Sequence, residues 1–92
     1  MYVLKDPCSP NEFISNLQNS ETQLIVHTTP ILENSLSWET FNLVYHAALN
    51  IEIHYAKKYV IYRKEKNELI PIGNTEETER LYVNYKETNI NP

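Results

Sequence analysis

The stretch from Ser37 to Lys58, SWETFNLVYHAALNIEIHYAKK, constrains the fold more than any other part of the chain. Ser37 offers a hydroxyl able to cap a helix. Phe41, Val44, Ala48, Ile51 and Tyr55 follow at three- and four-residue steps, which keeps all five on one face of an α-helix. The apolar arc continues through Tyr45, Trp38, Leu49 and Ala56 to Ile53. It spans roughly 200°, where a helix lying on one sheet needs only about 100°. Asn42, His46, Asn50 and His54 form a polar ladder on the other side. Such a helix should be covered from two directions, by its own sheet and by a further surface. Glu52 falls inside the arc, and burial there demands that the carboxylate be paired or neutral. A helix ending near Leu49, with Asn50 left-handed and Ile51, Ile53 and Tyr55 alternating as a strand, is the alternative. Ala56-Lys57-Lys58 forms helix readily and lacks turn chemistry, which favours the longer helix.

The rest of the chain supplies shorter elements. Tyr2-Val3-Leu4 reads as a strand. Ser9, Pro10 and Glu12 compose a capping box for a helix whose buried face is Phe13, Ile14 and Leu17, and Asn19-Ser20 ends it. Thr22 to Thr29 reads as a strand covered on both faces, so this region predicts a parallel β-α-β crossover. Tyr59–Lys64 and Glu68–Ile72 predict a hairpin, with Pro71 placing the second strand at a sheet edge. Asn74 and Glu77 cap a last helix that presents Thr78, Leu81, Tyr82 and Tyr85 on one face to about Lys86. The tail 88–92 is expected to fray. The order β-α-β-α-β-β-α implies an α+β fold: one domain over residues 1–92, a two-layer sandwich with a mixed sheet and helices mainly on one side.

Charge is unevenly spread along the chain. Residues 1–50 carry only Lys5 against Asp6, Glu12, Glu21, Glu33 and Glu39, whereas Lys57, Lys58, Arg63, Lys64 and Lys66 crowd into ten positions. A single cysteine, Cys8, excludes an intramolecular disulfide, and no leader or long apolar run is present, so a cytoplasmic protein with no membrane association is expected. One glycine among many Asn, Ile, Tyr and Lys residues is the bias of an AT-rich genome, such as that of a phage, a virus or a low-GC bacterium.

Four chemistries compete. Cys8, His27, His46 and His54 contain no close ligand pair, and His46 and His54 stand about 12 Å apart along a helix, so no metal and no cofactor is expected. Cys8 before a helix start, with His27 or His46 as base, would be the nucleophilic arrangement to test. The lack of glycine-rich turns argues against an enzyme. Lys57, Lys58, Tyr59, Tyr62, Arg63 and Lys64 interleave base with aromatic, a pattern that suits phosphates and unpaired bases. Against that stands the net charge of −4. The fourth chemistry is protein recognition through Trp38, Tyr45 and Leu49, with Glu33, Glu39, Glu76, Glu77 and Glu79 meeting a basic surface on the partner. The expectation is a non-enzymatic binding protein, a viral accessory that inhibits or redirects a host factor, with homodimerisation through the central helix also open. On this reading Trp38 and Leu49 are buried by a partner or second subunit.

Overall fold

Alternation along the strands decides which side chains meet in this protein. The computed structural model describes residues 1–8 and 12–90, the last eight of these as backbone only. Among the described residues there are five strands: β1 (Tyr2–Lys5), β2 (Phe13–Asn19), β3 (Leu24–Thr29), β4 (Val60–Lys64) and β5 (Leu69–Gly73). They form an antiparallel sheet in the order β3-β2-β1-β4-β5. Two α-helices, α1 (Phe41–Tyr55) and α2 (Thr75–Ile90), complete a small α+β fold. Leu4, Ile14, Leu24 and Ile61 project from one sheet face into a core with Val44, Ala48 and Ile51 of α1. Each of these leucine, isoleucine and valine side chains, fully buried, contributes roughly 1.5–3 kcal/mol. On the opposite face Val3 is buried and the Lys5 ammonium lies over the rings of Phe13 and Tyr62, at 5.8 and 5.4 Å.

Residues 13–19 correct the sequence reading: they are a strand, not a helix, and the sheet is antiparallel, not mixed. Phe13 and Ile14 are both buried, but on opposite faces, and a bulge between Ile14 and Asn16 restores the alternation at Leu17. An apolar pair followed three residues later by leucine fits a helix face and a bulged strand equally well. The helix cap expected at Ser9 and Pro10 lies outside the described residues. Glu12 accepts a backbone bond from Asp6, which ties the start of β2 to the end of β1. Asn19-Ser20, expected to stop a helix, instead opens a hairpin, with Ser20 N–H donating to Gln23 at 2.8 Å. The β2–β3 unit is therefore a local antiparallel pair at a sheet edge, and β3, with Ile25 and Val26 half-buried and His27 and Thr28 exposed, is not covered on both faces.

The β4–β5 hairpin forms where the sequence predicts it, and β5 with Pro71 is an edge strand. The α1 helix continues past Asn50 to Tyr55 and closes on Ala56, which is left-handed at φ 55°. Its cap is the Thr40 hydroxyl, which accepts from Leu43 N–H at 3.2 Å, not Ser37. Trp38 consequently lies outside the helix. It exchanges two backbone hydrogen bonds with Tyr2, occupying the gap where β2 diverges from β1. The α2 helix begins with the expected reciprocal pair: Glu77 N–H donates to Asn74 Oδ1 and Asn74 N–H to Glu77 Oε1, both at 2.9 Å. It runs beyond Lys86 to Ile90, including part of the tail expected to fray, while 91–92 lie outside the described residues. Gly73, at φ 136°, lets α2 start tightly against β5: a Cβ there would sit 3.0 Å from that of Glu77.

Candidate protein-binding face on the helices

The seam between α1 and α2 is built from aromatic stacking and a carboxylate clasp. Tyr45 of α1 and Tyr82 of α2 stack with centroids 4.3 Å apart and planes 7° from parallel, and Tyr45 is buried. That burial, with the negative charge of Glu79 adding to it, pushes the Tyr45 phenol above its ordinary value. The Tyr82 hydroxyl reaches on to His46 Nε2 at 2.8 Å. Two turns along, Thr75 donates to Glu52 Oε1 at 2.5 Å and Lys58 approaches Glu52 Oε2 at 3.1 Å. The Thr75 bond, followed by Lys58, holds the Glu52 carboxyl below its ordinary range against the upward pull of burial. The carboxylate inside the apolar arc is thus paired, one of the two outcomes its position demanded.

These contacts leave two depressions that share Leu49 as a wall. One, of about 250 Å³, lies over the clasp and is lined by Tyr45, Leu49, Glu52, Lys58, Thr75, Glu76 and Glu79. The other, a shallow groove of about 500 Å³, runs along the outside of α1 past Leu17, Ala47, Leu49 and Ile53, with His46 and Asn50 between them. Ile53 is 72% exposed, Leu43 51% and Leu81 53%, so the helices turn several aliphatic side chains to water. The apolar arc of α1 is covered at Tyr45 by α2 and uncovered at Ile53.

No family model, curated protein or solved structure matches this chain. Of the residues the sequence nominates for a partner, Tyr45, Leu49, Glu76 and Glu79 gather at the seam. Glu77 is exposed but engaged in the α2 cap. Glu33, on a short 3₁₀ turn (Leu32–Asn34), and Glu39, before α1, are exposed and do not line the seam. Trp38 is half-buried against the protein's own core, as is Leu49. Sequence reasoning missed Tyr82 and Thr75 as seam partners. Their signal was present, since both belong to the capped helix, but nothing local says which face of α1 they meet.

The basic and aromatic segment is dispersed by the fold. Lys57 is bonded at 2.5 Å to Asp6, which is 4% exposed, and its cation lies 5.2 Å from the Tyr59 ring centroid. The Asp6 bond raises the Lys57 amine above its ordinary value, and burial raises the Tyr59 phenol. Lys58 serves the Glu52 clasp, Arg63 pairs with Glu65 at 2.8 Å, and Tyr62 packs under Lys5 on the opposite sheet face. Lys64 alternates with Arg63 along β4 and so projects to the other side of the sheet. Among the described residues no group of three or more His, Cys, Asp or Glu side chains converges as metal ligands. His54 Nδ1 donates to the Asn50 carbonyl at 2.9 Å, and Cys8 is exposed. Among the described residues no helix is long and apolar enough to cross a membrane.

Proposed function

We propose that this protein works by binding another protein through the outer face of α1 and its seam with α2. The observation that carries the reading is the shallow groove walled by Leu17, Ala47, Leu49 and Ile53, with Asn19, His46 and Asn50 among them, open to water and bordered across Leu49 by Glu76 and Glu79. Apolar surface of this kind, rimmed by charge, is what recognition sites present. The matching partner surface carries an aliphatic or aromatic plug with lysine or arginine around it. A host factor bound by a viral accessory protein would supply such a surface, and so would a nucleic-acid-binding protein whose groove expects phosphates. Direct binding of nucleic acid draws less support, because Lys58 and Arg63 already hold carboxylates and the segment does not form one patch.

The test uses Ile53→Glu, which alters an exposed side chain and should leave the circular dichroism unchanged. Wild-type protein immobilised as bait should retain a partner that Ile53→Glu loses. Retention should also weaken with added salt and with Glu76 and Glu79 reversed to lysine, because rim charges are screened within about 10 Å at 0.1 M. Retention that is indifferent to all three changes removes the helix face as the binding surface.

A further inference from the structure

The edge of the sheet carries a second feature that the helix face does not explain. β3 is an edge strand, and residues 22–29, TQLIVHTT, contain no charge and no proline. The other edge, β5, is interrupted by Pro71. Edges left unprotected in this way are templates for pairing. The hairpin register says which backbone groups are offered. Ser20 N–H bonds to Gln23 C=O, so outward from the turn Asn19↔Leu24 is a non-hydrogen-bonded pair, Gln18↔Ile25 a bonded one and Leu17↔Val26 again non-bonded. The N–H and C=O of Leu24 and Val26 therefore point away from β2. The Tyr55 hydroxyl agrees with this assignment, because it donates to the Leu24 carbonyl from outside the sheet.

Beside the same edge opens a cavity of about 300 Å³ lined by Val26, Thr28, Ile51, Tyr55, Lys57 and Tyr59. Its walls are mainly aliphatic and aromatic. Lys57 is its one charged lining residue, 41% exposed, with Asp6 taking one of its three N–H donors. We propose that the β3 edge and this cavity together form a strand-addition site for an extended segment of a partner protein. The segment pairs with Val26, places an aliphatic side chain in the cavity, and presents an acidic side chain to Lys57 two residues on. The two side chains share a face because strand residues alternate, and they stand roughly 6.5 Å apart along the strand. Backbone bonds supply the affinity and the cavity supplies the choice of sequence.

The experiment titrates the full isotope-labelled chain with acetyl-Ser-Val-Thr-Glu-Ser-amide and follows backbone amide resonances. Expected are shifts centred on Val26, Thr28 and Tyr59, with slowed exchange at the Val26 amide. Methylating the peptide's three central nitrogens should weaken binding about tenfold or more, the worth of one or two backbone bonds. Val26→Pro should do the same while keeping the fold, since an outward N–H on an edge strand is dispensable. The methylated peptide tests the idea on unaltered protein, whatever the behaviour of that variant. Ile53→Glu should leave peptide binding unchanged, which separates this site from the helix face. Equal binding of the methylated peptide, shifts centred on Leu49 and Ile53, or no shift at millimolar peptide would each overturn the proposal. So would a concentration-dependent dimer abolished by Val26→Pro, because the edge would then belong to a second copy.

Discussion

Ala56 ends α1 in a conformation that suits glycine better. A left-handed L-residue carries a steric penalty of roughly 1–2 kcal/mol, and Ala56 bears it because the chain must turn there into Lys57 and Tyr59. Ala56→Gly is expected to raise stability by about 0.5–1 kcal/mol, the rest of the relief being offset by greater freedom of the unfolded chain. Urea midpoints of the two proteins measure it, and a drop would mean that the Ala56 methyl packs favourably. Glu52 makes a second prediction at this scale. Its folded pKa is depressed, so its stabilisation is present above the ordinary value of 4.5 and is lost as pH falls through the folded value. Thr75→Val should cost about 1–2 kcal/mol at neutral pH, and that gap should narrow once Glu52 is protonated. Denaturation curves at pH 7 and pH 2.5 decide it; a gap independent of pH would assign the loss to packing alone.

Each helix is held at its start by a local device and along its length by the other. Thr40 satisfies one orphan N–H of α1, so Thr40→Ala should cost about 1 kcal/mol in thermal or chemical unfolding. The seam depends on Tyr82, whose ring covers Tyr45 and whose hydroxyl holds His46. Tyr82→Ala is expected to destabilise by about 2–4 kcal/mol and to return the Tyr45 phenol towards its ordinary titration range as water reaches it. Spectrophotometric titration of the tyrosines reads this directly. An unchanged titration would show that the stack does not exclude water from Tyr45.

Across the whole molecule, the Asp6–Lys57 pair links the end of β1 to the stretch that leads from α1 into β4 over 51 positions of chain. Asp6 is buried while Lys57 reaches water, so Asp6→Ala removes the bonds that Asp6 accepts from Cys8 and Lys57 without stranding a charge in the core. A loss of about 1–3 kcal/mol is expected, with the fold retained. The Lys57 amine is raised above 10.5, so its contribution is complete below that value and disappears as pH climbs through the folded one. Alkaline unfolding of wild type and variant should therefore converge; curves that stay parallel would put the effect elsewhere. What the sequence determined by itself was a set of features whose partners lie within a few residues. The α1 periodicity, the β4–β5 turn, the edge position of Pro71 and the Asn74–Glu77 cap all belong to that class. Phe13, Ile14 and Leu17 were ambiguous because helix and bulged strand bury the same three residues, and only pairing with β1 and β3 selects the strand. The place of Trp38 was set by Tyr2, that of Tyr45 by Tyr82, and that of Lys57 by Asp6. Each of those contacts joins residues distant in sequence, and no local propensity encodes a partner that only the packed chain brings near.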